Sequence, residues 1–524
     1  MKYLLLFAFA IAGANLYAQP WALLVKDVCP GSCGAESFYY TSHNNLIYYM
    51  GNDAANGNEL WTTDGTAANT RLVKDINPGP FTQAGGNSYP HAFCNINGNM
   101  IFRAMKTNVV NYTLWTTDGT SGGTKEVGSS VPVESNVFMP LGSIAYFVSN
   151  DAAVNPDIKD LWKTDGTAAG TQKIGYIYTS AITGMMVDIL AYATLNSKLY
   201  FAVKDQKMLW VTDGTTAGTD HINMPAGVVR MTVFQNKLYF IGDDQKLYVS
   251  DGSALGTKLI SDLVGMASKV TFFGATTKDL VVVNNKIWKS NGSSSGTRAL
   301  TPASSYAGAM LTGNKLYYVV GYQNTVYLSM TDLNTEKSIT IDTNITVSTH
   351  SAERKAFISF MNKLYFDGTP VTTAADGVKT YGKRSLHAYD LNNGSIKPIQ
   401  HITAYLTSFA SASLGNELFL TANDSISGME LWKITDFPTD ITQAPKLDHG
   451  IAVYPNPVKD VLILQQSSSA TVAYSIVNLY GQILQQGTLQ QKAEINVAYL
   501  PSGVYNITIQ LPNNEMVTKR FVKQ

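Results

Sequence analysis

Leu161–Thr171 reads LWKTDGTAAGT, and the phrase returns as ELWTTDGTAANT from Glu59, LWTTDGTSGGT from Leu114 and LWVTDGTTAGT from Leu209. Weaker copies follow: LYVSDGSALGT from Leu247 and IWKSNGSSSGT from Ile287. The last three are eroded: VYLSMTDLNTEK from Val326, LHAYDLNNGS from Leu386 and ELWKITDFPTD from Glu430. From Trp61 to Trp432 there are eight steps, a mean period of about 46 residues. A second apolar phrase precedes each copy (NLIYYM, NMIFRA, SIAYFV, KLYFAV, KLYFIG, DLVVV, KLYYVV, KLYFDG, ELFLTA), and another short segment ending in a turn stands before that. After the copy comes a last segment such as Arg71–Ile76 (RLVKDI). Four short strands joined by Asn/Gly/Asp turns, repeated every 40–50 residues, are the signature of a β-propeller blade.

In Lys198–Val203 (KLYFAV) and Leu209–Thr212 (LWVT), bulky residues occupy both alternating faces. A strand with one wet face alternates cleanly, whereas near-continuous apolar runs mean that both faces are covered. Blades stacked around an axis cover one another in that way, with the Trp and the Tyr directed to opposite neighbours. The ends agree. Ala22–Val28 (ALLVKDV) matches the fourth-strand phrase without its three predecessors, and the last unit, ending near Phe437, lacks a fourth strand. The N-terminal segment is therefore expected to complete the final blade and close one ring. The expected fold is all-β: a propeller of eight or nine four-stranded blades, the uncertainty lying in the units at Val326 and Leu386, followed by a small C-terminal β-sandwich.

Composition fits this architecture. Only 15% of the 524 residues are charged, with 38 basic side chains against 38 acidic ones. Soluble proteins average about a quarter charged residues. The zero net charge supplies no reason to expect nucleic acid as a partner. Met1–Ala18 (MKYLLLFAFAIAGANLYA) has a Lys, an apolar run too short for a membrane span and small residues before Gln19, which is the layout of a cleavable secretory signal. No later stretch is long and apolar enough to predict a membrane span. Cys29 and Cys33 flank a Pro-Gly turn in VCPGSCG and are candidates for a small-loop disulfide in an oxidising compartment. A zinc site needs four ligands. Cys94 alone does not complete a set and is expected to be a buried thiol.

The repeated phrase resembles the ELWxxDGT repeat of exported bacterial proteins, over roughly residues 21–437. That resemblance implies architecture and export only. Asp64, Asp118, Asp165, Asp213 and Asp251 each precede a glycine (Gly65, Gly119, Gly166, Gly214, Gly252), and Asn291 precedes Gly292. An Asp at a turn accepts from the N–H groups just after it, and Gly supplies a positive φ. A turn cap tolerates the change to Asn291. Calcium needs six to eight oxygens, and each loop offers one carboxylate. A ring of sugar sites, one per blade, is the other ligand reading.

Pro438–Gly450 is a polar linker, and Ile451–Gln524 changes composition. This module resembles the type A C-terminal sorting domain of the type IX secretion system. The matching elements are Tyr454-Pro455-Asn456-Pro457, the turn at Gly481, Leu500-Pro501-Ser502-Gly503-Val504-Tyr505 and the basic final strand Lys519-Arg520-Phe521-Val522. The resemblance implies the type IX secretion machinery as partner, and release or attachment at the cell surface. The expected organisation is a signal at 1–18, the propeller at 19–437, the linker at 438–450 and the sorting domain at 451–524.

A propeller places ligands at the mouth of its channel, where the first strand of each blade begins. Entry positions include Glu36, Tyr89, His91, Asp188, Arg230, Lys269, Tyr306, Glu353 and Arg354. No HExxH, GxSxG or phosphate-loop pattern accompanies them. The leading expectation is a binding or adhesion scaffold for a glycan or protein ligand, with no cofactor. Two alternatives remain. One is a carbohydrate-active enzyme, a lyase or hydrolase, using Tyr89, His91, Arg230 and Arg354 at the mouth. The other is a purely structural envelope component.

Overall fold

No helix occurs among the described residues of the computed structural model, which are 20–29, 38–53, 55–79, 86–106, 111–128, 131–150, 159–177, 187–263, 270–322, 325–347, 357–374, 378–399, 402, 411–423, 429–436, 451–466, 468–478, 483–501, 503–511 and 516–524. The expected signal, the linker, Cys33, Gly481 and Arg354 lie outside them. Two units divide the chain, Trp21–Thr435 and one built on Asp436–Gln524.

Among the described residues the first unit holds nine antiparallel sheets, numbered here in chain order. Sheets 1 to 7 span residues 38–74, 91–126, 139–177, 189–223, 228–261, 272–299 and 305–342, each with four strands in sequence order. Sheet 8 spans 345–398 and has six strands, because its strand Lys363–Thr373 is long enough to pair Ile358–Phe360 with its near half, and both Ile345–Val347 and Lys379–Tyr381 with its far half. Sheet 9 takes three strands from 411–436, and its fourth is Pro20–Lys26 from the other end of the chain. The eroded units at Val326 and Leu386 thus each form a sheet.

Burial explains why the sheets associate. The second strand of sheet 5, Lys237–Gly242, is buried at every position after its lysine. Such a strand has no face for water and needs apolar cover on both sides. The cover comes from neighbouring sheets. In sheet 4, Trp210 joins the core shared with Tyr146 of sheet 3, and Tyr200 joins the core shared with Phe240 of sheet 5. The same kind of shared core links Tyr48 to Trp115, Leu114 to Phe147, Ile241 to Val282, Val281 to Tyr318, Tyr317 to Phe366 and Tyr365 to Trp432 across the successive pairs of sheets. Phe419 of sheet 9 shares a core with Trp61 of sheet 1, and Tyr40 and Thr421 bond across the same junction through their hydroxyls at 2.6 Å. The packing therefore closes into a cycle.

Glu59, in the first full copy of the repeat, shows what its leading acid does. Its Oε2 accepts from the Ile76 N–H at 2.8 Å and the Ser88 hydroxyl at 2.6 Å, which fixes the chain leaving sheet 1. Glu430 accepts from the N–H groups of Val28 and Cys29 at 3.3 Å, so the same device anchors the N-terminal strand to sheet 9. Cys29 is disulfide-bonded and Cys94 is a free thiol. Cys94 is half-buried rather than fully buried, because its strand, His91–Ile96, is the edge strand of sheet 2. Burial pushes its pKa up to about 11.

The second unit has two sheets, of three and four strands, that bury one shared core including Leu462, Leu464, Ile476, Ile507 and Phe521.

Two outcomes follow. Val25 is buried in the core joining sheets 9 and 1, so Val25→Asp should lower stability by about 3 kcal/mol or more in urea unfolding. Burial raises Glu59 from 4.5 to about 8, so the folded chain keeps it protonated where the unfolded chain ionises it. Its stabilising share is complete below 4.5 and is lost as the pH rises towards 8. Glu59→Gln, which retains an acceptor oxygen for Ile76 and Ser88, should remove that part of the pH dependence in urea titrations across the window.

Candidate functional site

The repeated Asp-Gly loop is tied to itself. Asp165 Oδ1 accepts from the Thr167 N–H at 2.9 Å and its hydroxyl at 2.7 Å; Asp118 does the same with Thr120. Asn291 makes the equivalent pair with Ser293 at 3.0 and 2.7 Å. The Thr167 hydroxyl and N–H hold the Asp165 carboxyl below its ordinary pKa. On the other side of the turn, Thr164 Oγ1 accepts from the Gly166 N–H at 3.0 Å and bonds Thr171 Oγ1 at 2.8 Å.

Both glycines of the phrase have a steric reason. Gly119 has φ +91°, and a Cβ there would stand 2.3 Å from the hydroxyl of Tyr48 in the preceding sheet. At Gly170 a Cβ would stand 2.0 Å from Asp165 Oδ1. Sheet 1 has Asn69 at this second position, and it adapts: Asn69 Nδ2 donates to Asp64 Oδ2 at 2.7 Å, while its N–H bond to Thr66 Oγ1 lengthens to 3.3 Å. Cations of one sheet reach the loop of the next, as in Arg71 to the Gly119 carbonyl at 3.0 Å and Lys163 to the Gly214 carbonyl at 2.9 Å. Among the described residues no group of three or more His, Cys, Asp or Glu is placed to hold a metal ion.

A different population of residues stands where the first strands begin. Tyr39 and Tyr89 are non-glycine residues at φ 59° and 45°, both exposed. A left-handed backbone costs an L-residue roughly 1–2 kcal/mol. Beneath them His91 donates from Nδ1 to the Tyr89 carbonyl at 2.6 Å and accepts at Nε2 from Arg103 Nε at 2.7 Å. Both ring nitrogens are engaged, which fixes a neutral tautomer. Burial and then the Arg103 charge lower its pKa to about 4. Arg103 is only 1% exposed; it also donates to the Ser135 carbonyl at 2.8 Å and lies 4.6 Å from the centre of the Tyr112 ring. Asp188 is near enough to favour its charged form.

Asp188 also lines a cleft of about 610 Å³, together with Leu190, Lys204, Asp205, Arg230 and Asp243. These come from the entry ends of sheets 4 and 5, from the turns after their second strands, and Val270 ahead of sheet 6 closes the wall. Arg230 Nε donates to the Val270 carbonyl at 3.1 Å, and the Gln245 side chain accepts from the Val270 N–H at 3.0 Å. Lys204 pairs with Asp188 at 3.4 Å. Leu190 and Tyr192 stand exposed on the same first strand of sheet 4.

The expected mouth residues thus fall into two groups. Tyr89 and His91 belong with Arg103 and Tyr112 in sheet 2, Arg230 belongs to the cleft of sheet 5, and Arg354 lies outside the described residues. Tyr306 is buried and donates to the Pro302 carbonyl at 3.3 Å. Sequence reasoning missed Arg103, although a signal exists. In register it occupies the place of Met50, Val148 and Ile241, where the only other charge is Asp367 of sheet 8 among the described residues.

In the second unit, Asn456 clamps the final strand: Oδ1 accepts from the Val522 N–H at 2.9 Å and Nδ2 donates to the Arg520 carbonyl at 3.1 Å. The Tyr505 hydroxyl donates to the Pro501 carbonyl at 2.8 Å, and its ring stacks on Phe521. Residues 452–524 match the family model of the secretion system C-terminal sorting domain. This module is therefore a sorting domain, and it marks the chain for export to the cell surface or the medium.

No curated protein matches the chain. Among solved structures, the computationally designed Ika8 protein is 16% identical, covering 67% of this chain and 96% of that one at a TM-score of 0.40. Sqt1 from Saccharomyces cerevisiae is 12% identical, covering 79% and 100% at 0.40. BamB from Moraxella catarrhalis is 11% identical, covering 73% and 95% at 0.34. At TM-scores this low none of the three bears on fold or function.

Substitutions in the repeated loop separate its two glycines from its acid. Asp165→Ala should cost about 1 kcal/mol, the value of a lost cap, while Asp165→Asn should be close to neutral. Gly170→Ala should cost more than Gly170→Asn, because only the longer side chain recovers a bond to the carboxylate. Urea unfolding of the four variants checks the order.

Proposed function

We propose that the chain is an exported β-propeller of nine blades, secreted or held at the cell surface, that acts as a binding scaffold for an extracellular ligand. Its C-terminal module directs passage through the type IX secretion system and folds as a small β-sandwich. The cyclic core and the strand contributed by Pro20–Lys26 support the propeller reading. In that frame the Asp-Gly loops are structural, since their hydrogen bonds turn inward and the Asn291 copy retains them.

The observation that carries the binding role is where apolar surface is left uncovered. Strands that bury nearly every side chain give way, at their entry ends, to exposed Tyr39, Tyr89, Leu190 and Tyr192, of which Leu190 lines the cleft. Tyrosine combines a large apolar ring with a polar tip and is enriched where proteins meet ligands. Binding is favoured over acid–base catalysis because His91, the one imidazole at this end that was a candidate base, spends both nitrogens on Tyr89 and Arg103.

The test is retention of full-length protein on immobilised extracellular material from the producing cells. Tyr192→Ala and Leu190→Ala should each weaken retention about tenfold, the effect of losing a contact of roughly 1.4 kcal/mol, with unchanged urea midpoints. Equal retention of both variants and the parent would sink the proposal.

A further inference from the structure

We propose that the cleft at the entry ends of sheets 4 and 5 is a subsite for an uncharged oligosaccharide; this rests on the binding role given above and names its ligand class. The volume, about 610 Å³, lies within the 300–1,000 Å³ of small-molecule sites.

The wall chemistry selects the ligand. Asp188, Asp205 and Asp243 face Lys204 and Arg230 across the same space. Lys204 is paired with Asp188, which leaves two carboxylates and one guanidinium for a ligand. Carboxylates only accept hydrogen bonds and a guanidinium only donates them. A ligand that satisfies both must offer donors and acceptors side by side. Sugar hydroxyls do so, each being one donor and two acceptors, and neighbouring hydroxyls match the two oxygens of a carboxylate. The excess of acid over base disfavours a polyanion such as a uronate polymer. A polycation would leave the Arg230 donors without acceptors.

Two further features favour a glycan over a peptide. Leu190, which lines the cleft, and Tyr192, exposed two residues further along the same strand, provide apolar surface for the C–H face of a pyranose ring. A peptide commonly binds by extending a free strand edge. Here the first strand of sheet 5 is the edge of its own sheet but is flanked by the first strands of sheets 4 and 6, which an added strand would have to displace. The walls are also set in place before binding. Asp205 is held in a turn at φ 61°, and Arg230 and Gln245 are fixed through the Val270 backbone. Preorganised polar groups lose less freedom when they engage a ligand.

Hydrogen exchange on the full-length protein tests the proposal. Three probes are added separately at millimolar concentration: uncharged gluco-, manno- and xylo-hexasaccharides, oligogalacturonate, and a tryptic peptide mixture. The expected result is slower exchange in residues 203–206, 227–230 and 243–245 with at least one uncharged hexasaccharide. Asp243→Asn and Arg230→Gln should each raise its Kd about tenfold, as expected for losing one charge-assisted bond, without shifting the thermal midpoint. Protection of the cleft by oligogalacturonate or peptides alone overturns the glycan assignment and leaves the binding role standing. Protection confined to other segments overturns the cleft as the site. No protection by any of the three overturns the glycan subsite, and the retention assay then decides the binding role separately.

Discussion

No sheet in the first unit is stable by itself, because its middle strands are apolar on both faces. A single sheet such as 237–242 with its partners would expose two greasy surfaces to water, at about 25 cal/mol for every Å². The remedy is a neighbour on each side, and a row of neighbours always has two ends. Only a closed cycle removes both. Much else follows from that one requirement: sheet 9 recruits Pro20–Lys26 from the far end of the chain, and Glu430 spends its carboxylate on anchoring it. The N-terminal strand holds the cycle together much as a disulfide would, since its removal takes Val25 away and exposes the core around Tyr49 and Phe419.

The repeated phrase is the local solution to the same problem. In sheet 4 its Trp faces back and the Tyr of the preceding strand faces forward, so that sheet brings one large ring to each junction, while Ile101 and Val281 take the Tyr place in sheets 2 and 6. Tyr48 then needs a flat surface for its hydroxyl end, and the loop at Gly119 supplies one by having no side chain there. The Asp closes that loop from within. Asn291 and Asn69 mark the tolerance of the device: a neutral acceptor serves in place of the acid, and a side chain that bonds the acid serves in place of the glycine. Such tolerance belongs to a part whose task is shape. It also explains how the copies at Val326 and Leu386 lost the phrase and kept their sheets, since the apolar strands on either side still had to be covered.

This is why the fold was legible and the site was not. Period, strand phrases, the missing fourth strand and the orphan Ala22–Val28 are all statements about burial, and burial repeats. The motifs of the sorting domain were legible for a related reason: Asn456 and Tyr505 make fixed bonds within one small unit, so the same residues recur in order. The cleft repeats in place but not in chemistry. Lys204-Asp205 and Asp243-Asp244 are the same turn of successive copies (KLYFAVKDQK and KLYFIGDDQK), yet Lys204 stands where the next copy has Asp243, and Asp188 and Arg230 join them from strand entries that share no motif. His91 shows the opposite difficulty. Placed at a strand entry it resembles an available base, yet its partner Arg103 lies on the next strand, twelve residues on, and appears in sequence as one charge within an apolar run.

The contrast between repeating and non-repeating residues carries a physical lesson about where specificity can arise in such a cycle. A residue set by the repeat is present at every junction and is already committed to its neighbour, so it has nothing left to offer a ligand. Specificity must come from positions that the junctions leave unconstrained, namely the inner entry ends and the turns beside them. Those are also the positions where left-handed backbone is tolerated at Tyr39, Tyr89 and Asp205, and where aromatic rings remain uncovered. Strain and exposed apolar surface are both unfavourable for the isolated protein. Left-handed backbone also occurs in the first hairpin turns, as at Asn44, Asn45, Asn196 and Asn236, and large apolar groups are exposed elsewhere, as at Tyr176 and Leu255; what sets the entry ends apart is that tyrosines, at Tyr39 and Tyr89, carry both features at once.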